Sequence, residues 1–170
     1  MNKHIILILS FLIVFAHGNF PPTACINDNE TCYVGAWLNS KDSQPFASFQ
    51  GIQYAIAPIG DLRFKPPQRY FPGKKTFIVD QKWAVNCPQQ YTETLDGDDF
   101  IISGIEECLL LNVYVPEIAL INGTKLPVMV WIHGGSLITG SGMVTHQFAL
   151  RHFSPLCDML SILDSKQRKF

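Results

Sequence analysis

The sequence has little charge and almost no excess of either sign. Its 170 residues include 13 lysines and arginines and 14 aspartates and glutamates, so the formal net charge is −1 at pH 7. Binding to nucleic acid or to an anionic membrane surface depends on an excess of positive charge. We therefore expect neither as a partner, and we interpret the basic residues 166–169 as a solvated tail.

The sequence also lacks an apolar run of the roughly 20 residues that cross a bilayer. The apolar stretch at residues 5–16 is shorter, follows Lys3 and ends near the small residues Ala16 and Gly18. This order is typical of a secretory signal peptide. We therefore expect residues 1–18 to be a signal peptide, the protein to be secreted and extracellular, and no segment to span a membrane.

No G-x-S-x-G occurs in the sequence, although this motif places a nucleophilic serine on a sharp turn between a strand and a helix. The segment 134–138 lacks the second glycine, and Gly140-Ser141-Gly142 has the wrong spacing. Metal-ligand spacings and phosphate-binding loops are missing too, so we expect no metal and no cofactor. Three histidines that could serve as a base have no orienting acid in a recognisable place: His133, His146 and His152.

Five cysteines are present: Cys25, Cys32, Cys87, Cys108 and Cys157. In a secreted protein most cysteines pair, and the odd count leaves one thiol without a partner within the chain. Two N-glycosylation sequons begin at Asn29 and Asn122, and we expect each to carry a glycan if its asparagine is exposed.

Two β-branched and aliphatic runs predict strands, at residues 109–115 and at Val128–Ile132. Both are almost continuously apolar, as in strands that are covered on both faces. The link between them contains the turn signal Asn122-Gly123, and residues 117–121 predict a short turn of helix.

The remaining segments carry weaker patterns. Residues 19–30 are polar and predict an exposed lead-in, whereas residues 31–49 favour short strands and turns. Residues 51–72 are interrupted by proline, which opposes both helix and sheet, and predict a long ordered loop. Residues 143–170 have a loose helical spacing, broken by Pro155, and no strand pattern.

The second predicted strand leads directly into His133-Gly134-Gly135-Ser136. Glycines after a buried strand expose backbone N–H groups that can face a developing negative oxygen, as in an oxyanion hole. The alternative is an ordinary glycine turn between a strand and a loop. An oxyanion-hole loop stabilises charge but attacks nothing, so it needs a nucleophile, a base and an acid from elsewhere.

Four blocks, in order along the chain, resemble the type-B carboxylesterases, the cholinesterase-like branch of the α/β-hydrolases. Residues 49–67 resemble F-x-G-I-P-Y-A followed by L-R-F-x-P-P, and Trp83 and Cys87 follow them. Residues 106–116 resemble E-D-C-L-x-L-N-V-Y-x-P, and residues 127–135 resemble the strand and its H-G-G loop. Three positions depart from the family pattern: Gln53 replaces a proline, Glu107 an aspartate and Ser136 a third glycine.

The resemblance implies the N-terminal part of an α/β-hydrolase fold, with an incomplete central sheet whose first strands are mostly antiparallel. It covers about residues 31–142, so we assign residues 19–142 to this domain and expect residues 143–170 to be a divergent tail. It also implies a disulfide between Cys87 and Cys108. We interpret the adjacent acidic residues Glu106 and Glu107 as positioning that disulfide loop rather than as a general acid and base. Cys25 and Cys32 could form a second disulfide, which has no support in the family and would leave Cys157 as the odd thiol. The alternative is that Cys25 and Cys32 both stay free.

For function, the resemblance implies hydrolysis of small carboxylic esters by a serine nucleophile. The oxyanion hole would comprise Gly134, Gly135 and Ser136, with the N–H groups of Gly135 and Ser136 as donors. In the family, the residue corresponding to His133 supports the loop. We therefore expect a secreted, truncated carboxylesterase-like protein that supplies only this loop and is inactive alone. The alternatives are a secreted non-catalytic binding module or decoy, and an incomplete gene model of an active esterase. The oligomeric state stays open.

Overall fold

The computed structural model describes residues 20–26, 30–79, 85–92, 100–136, 138–142 and 158–162. Within them lie one helix, α1 (Glu117–Asn122), and a 3-10 turn at Gly60–Leu62. The strands of this part are β1 (Thr23–Ile26), β2 (Thr31–Val34), β3 (Ala36–Asn39), β4 (Pro45–Gln53), β5 (Lys75–Ile78), β6 (Gln89–Thr92), β7 (Phe100–Ser103), β8 (Leu110–Pro116), β9 (Val128–Ile132) and β10 (Asp158–Ile162).

The larger sheet has the strand order β3-β4-β8-β10-β9. Its pairs are antiparallel except for β10 and β9, which run parallel. A smaller sheet has the order β1-β2-β5, and β6 and β7 form an antiparallel pair of their own. The larger sheet is therefore mixed and mostly antiparallel, as the sequence resemblance implies.

The core lies between the two larger sheets. Its buried centre consists of Ala47 and Phe49 on β4 and of Val79, which follows β5. Side chains from β1, β2, β3, β5, β8 and α1, together with Ile52 of β4, pack against this centre, and Phe49 is only 2% exposed. Nearby on β8, Tyr114 meets the ring of Phe46 edge to face, and burial raises the pKa of its phenol.

A bulge interrupts the pairing of β4 with β8 at Gly51. Gly51 has a φ of 83°, which glycine adopts without steric cost, and its N–H donates to Oδ1 of Asn112 at 2.9 Å. Asn112 is 2% exposed, so its side chain satisfies a backbone group that the ladder leaves out. The bulge thus explains why glycine and asparagine occur in two of the sequence blocks.

Several predicted segments need correction. The lead-in at residues 19–30 contains β1, and the loop predicted for residues 51–72 begins only after β4 ends at Gln53. Beyond it, the loop contains the 3-10 turn and an isolated bridge between Ala55 and Arg69. The strands β5, β6 and β7 were not predicted, because four-residue strands carry too short a pattern. The helix predicted at residues 117–121 is confirmed as α1.

The prediction that residues 143–170 contain no strand is wrong, because β10 lies there. A run of five residues is too short to separate helical from strand spacing. The strand β10 forms because it pairs with β8 on one side and with β9 on the other. The other residues of this segment, with Pro155 and Cys157, lie outside the described residues.

The expectation that β9 is covered on both faces is also wrong. Its five residues are between 46% and 65% exposed, and β9 lies at the end of the sheet. An apolar composition is compatible with burial but does not itself provide a covering layer. Here α1 packs against β4 and β8. Among the described residues, no helix is long and apolar enough to cross a membrane.

Candidate functional site

The loop after β9 forms a tight turn around Gly135. The carbonyl oxygen of Gly135 accepts hydrogen bonds from the N–H groups of Ile138 and Thr139, both at 3.0 Å. Leu137 lies outside the described residues. No hydrogen bond among the described residues engages the N–H groups of Gly134, Gly135 or Ser136, and all three residues are exposed. These donors are therefore available to a ligand oxygen.

At two positions of the loop only glycine fits, because other atoms lie too close to its Cα for a side chain. A Cβ on Gly135, whose φ is 122°, would overlap the backbone carbonyl of Thr139. A Cβ on Gly140 would overlap the carbonyl oxygen of Gly134 and the ring of His133. The two ends of the loop thus touch each other without intervening side chains. This contact ties the backbone of the donor residues to Gly140.

Ser136 adopts a left-handed backbone conformation, with a φ of 55°. A side chain with a Cβ pays roughly 1 kcal/mol for this conformation, which glycine avoids. The replacement of the family's third glycine therefore keeps both the turn and the N–H group, at a cost in stability.

His133 supports the loop through its ring. Its Nδ1 lies 2.7 Å from the carbonyl oxygen of Gly134. Because a carbonyl oxygen only accepts, Nδ1 carries the hydrogen and donates it. This contact suits a structural role better than that of a general base. His146 and His152 lie outside the described residues.

Gln89, at the start of β6, contacts the loop and was missed in the sequence. Its Oε1 accepts from the N–H of Gly140 at 2.9 Å, and its Nε2 donates to the carbonyl oxygen of Gly140 at 3.0 Å. The only local signal was its place two residues after Cys87. Nothing in that spacing shows a partner 51 residues away.

Two disulfides lie in the part of the chain that the structure describes, Cys87–Cys108 and Cys25–Cys32. The second joins directly paired residues of β1 and β2. The first closes a loop with a sequence separation of 21 and should stabilise the fold by about 3 kcal/mol through the unfolded chain. Beside it, Glu106 forms an ion pair with Arg63. Trp83 and Cys157 lie outside the described residues.

Glu107 lines a cavity of about 150 Å³ with five other residues: Gln53, Ala55, Ala57, Leu109 and Leu110. Sites for small molecules usually measure about 300–1,000 Å³. This cavity is thus smaller than a site that encloses a whole drug-sized ligand. The described residues contain no group of three or more His, Cys, Asp or Glu that could hold a metal.

The two sequons differ in what the structure describes. Asn122 is exposed at the end of α1, where Gly123 adopts a left-handed conformation. Asn29 lies outside the described residues.

A sequence profile of the carboxylesterase family matches residues 33–153. The chain belongs to the carboxylesterase family. Among its relatives, carboxylesterase 1E of Rattus norvegicus is 33% identical over 155 residues, which cover 85% of this chain and 27% of that protein. A carboxylic ester hydrolase of Bombus ignitus is 37% identical over 110 residues, covering 64% and 19%. This carboxylesterase chain thus spans about a quarter of the length of such relatives.

Among solved structures, juvenile hormone esterase from Manduca sexta resembles this carboxylesterase chain with a TM-score of 0.64 and 29% identity. The likeness covers 84% of this chain and 26% of that esterase. It confirms the resemblance to type-B carboxylesterases and the partial α/β-hydrolase fold. The profile match extends to residue 153, and the boundary placed at Gly142 stays a prediction. The oxyanion-hole assignment likewise stays a prediction.

Proposed function

We propose that this carboxylesterase chain supplies the oxyanion-hole loop for hydrolysis of small carboxylic esters. The observation that carries the proposal is the turn at Gly135. Gly135 and Ser136 are exposed residues there, and no hydrogen bond among the described residues engages their N–H groups. In ester hydrolysis a serine attacks the carbonyl carbon, and the carbonyl oxygen takes up negative charge. Two such N–H donors stabilise that charge, and removing one typically costs about 3 kcal/mol.

We also propose that these 170 residues do not turn over esters by themselves. They contain no G-x-S-x-G, so the loop has no serine on a nucleophile elbow beside it. The histidine that moves the proton and the acid that orients it must likewise come from another segment. The loop is thus one part of a site, and its donors act only when a nucleophile is placed about 3 Å from the same carbonyl group.

Secretion and glycosylation belong to the same proposal. The apolar stretch at residues 5–16 has the length of a signal-peptide core, and two disulfides suit an oxidising compartment. The exposed Asn122 supports a glycan at the second sequon. Treatment of the secreted protein with an N-glycosidase tests this directly, since it should lower the apparent mass.

The test of the loop uses a chimera. The acceptor is the liver carboxylesterase of Sus scrofa, which is 37% identical over 105 residues, and residues 33–142 of this chain would replace the corresponding segment there. We expect the chimera to hydrolyse p-nitrophenyl butyrate and to be labelled by an organophosphate. The 170-residue chain alone should do neither. Labelling of that chain together with matching ester hydrolysis would overturn the proposed inactivity.

Within the chimera, Gly135→Ala should lower kcat by about 100-fold, because the added Cβ overlaps Thr139 and shifts the donors. Gly123→Ala is the matched control. Gly123 also has a positive φ, of 64°, but it lies at the end of α1 with open space around it. Equal kcat values for the two variants would show that the loop is an ordinary turn.

The exposed strand β9 favours a second candidate, a non-catalytic module that pairs with another protein through this strand. Its five exposed apolar residues, and an edge that pairs with no other described strand, are features of an interaction site. A transcript that continues past Gly142 into a segment with G-x-S-x-G would favour the esterase instead. Abundant secreted protein ending at Phe170 would favour the module.

A further inference from the structure

We infer that Gln89 is a positioning residue for the oxyanion-hole donors and acts through the backbone of Gly140. The inference rests on the proposed function, in which Gly135 and Ser136 hold the oxyanion. Gln89 does not reach the donor groups themselves. It holds the far end of their loop and connects it to the segment that carries Cys87.

The contact between Gln89 and Gly140 uses both atoms of the side-chain amide. Oε1 accepts from the Gly140 N–H at 2.9 Å, while Nε2 donates to the Gly140 carbonyl at 3.0 Å. The amide therefore pairs with one residue's backbone much as a neighbouring strand would. Gln89 is 8% exposed, so water competes little for these bonds.

Gly140 passes this constraint to the donors by direct contact. Its Cα lies so close to the Gly134 carbonyl and the His133 ring that a Cβ would overlap both. On the other side of the turn, the N–H of Thr139 is bound to the Gly135 carbonyl. A shift of Gly140 therefore moves the carbonyls of Gly134 and Gly135, and these lie in the same planar peptide groups as the two donors, the N–H groups of Gly135 and Ser136.

The opposite end of the contact is anchored by a disulfide. Nε2 of Gln89 also donates to the carbonyl oxygen of Cys87 at 3.2 Å, and Cys87 is bonded to Cys108. The preceding residue, Asn86, accepts from the N–H of Ile105 at 2.9 Å. Gln89 thus joins the loop to a covalently closed segment. This gives the Cys87–Cys108 bond a role in holding the donors in addition to its effect on stability.

Only an amide fits this position fully. Methionine has a similar length but cannot make either bond with Gly140, and an ionised glutamate can only accept. Gln90 is the natural control, because it is the next residue on β6 and is exposed. Changes at Gln90 therefore alter the same strand without touching the loop.

The first test uses the full chain and compares Gln89→Met with Gln90→Met. Amide hydrogen exchange should be about tenfold faster at residues 138–142 in Gln89→Met and unchanged in Gln90→Met. The amide resonance of Gly140 should shift upfield in the Gln89 variant only, since its acceptor is lost. Exchange at β4 and β8 reports whether each variant is folded. If Gln89→Met loses that protection, Gln89→Glu replaces it. Its carboxylate still accepts from the Gly140 N–H but faces the carbonyl oxygens of Cys87 and Gly140 without a donor, so exchange at Ile138 and Thr139 should still be faster.

The second test uses the chimera, in which Gln89→Met should lower kcat by about tenfold with little change in KM, because the donors act on the transition state. Gln90→Met should keep both values. Unchanged exchange and an unchanged Gly140 resonance in a folded Gln89 variant would overturn the inference. Faster exchange with an unchanged kcat in an active chimera would also overturn it. A chimera that is inactive before any substitution, with faster exchange in Gln89→Met, would instead contradict the proposed function.

Discussion

Individual residues show how the loop tolerates its departure from the family pattern. Ser136 stands where the family pattern that the sequence resembles has a third glycine, and it holds a φ of 55°. His133 donates to the carbonyl of Gly134, and Gln89 holds Gly140. The glycine-rich loop and the support by His133 were predictable from the resemblance. Gln89 was not, because a glutamine in a strand has no local signature of a distant backbone partner.

The strain at Ser136 leads to a prediction. Ser136→Gly should raise the free energy of unfolding by about 0.5–1 kcal/mol, since relief of the left-handed strain exceeds the entropy that glycine adds to the unfolded chain. Ser103→Gly makes the same chemical change in β7, an extended strand, and should lose about 1 kcal/mol. Urea denaturation measures both. A loss at Ser136 equal to that at Ser103 would contradict the reasoning.

At the level of elements, the bulge between β4 and β8 joins two of the sequence blocks. The strand β8 was predicted to within a residue at each end, because its apolar run is seven residues long. The bulge was not predicted, since a glycine within a strand pattern does not show which group will satisfy its N–H. The structure assigns that task to Asn112.

Asn112→Ala should therefore lower the free energy of unfolding by about 1–2 kcal/mol, because the N–H of Gly51 loses its acceptor in a buried site. The Nδ2 atom of Asn112 has no hydrogen-bond partner among the described residues, which places the loss below the upper end of the usual range. Asn39→Ala, at the exposed end of β3, should change stability by less than about 0.5 kcal/mol. Similar denaturation midpoints for the two variants would refute the role of Asn112.

For the molecule as a whole, the larger sheet ends in an exposed apolar strand. The strand β10 covers one edge of β9, and the other edge has no partner among the described residues. The five residues of β9 include no lysine or proline, which commonly prevent edge-to-edge pairing; Lys125 and Pro127 lie only before its first residue. The protein should therefore associate through this edge at high concentration.

Val130→Lys places a charge in the middle of β9 and should shift the protein toward monomer in light scattering and size-exclusion chromatography. Ile121→Lys is the matched control, because Ile121 is also exposed and apolar but lies on α1. It should leave association unchanged. Equal effects of the two lysines would mean that general surface hydropathy, not the β9 edge, drives association.

The family, the loop after β9 and the strands β8 and β9 were already contained in the order of residues, because motifs and apolar runs are local patterns. The tertiary structure decided the rest. It placed β10 between β8 and β9, left β9 exposed, bound Asn112 to the Gly51 bulge and Gln89 to Gly140. The strand pairing and the two side-chain contacts depend on hydrogen bonds between residues far apart in the chain, and such bonds form only when the sheets bring those residues together. The exposure of β9 depends on which elements pack over it, which is likewise a property of the whole fold.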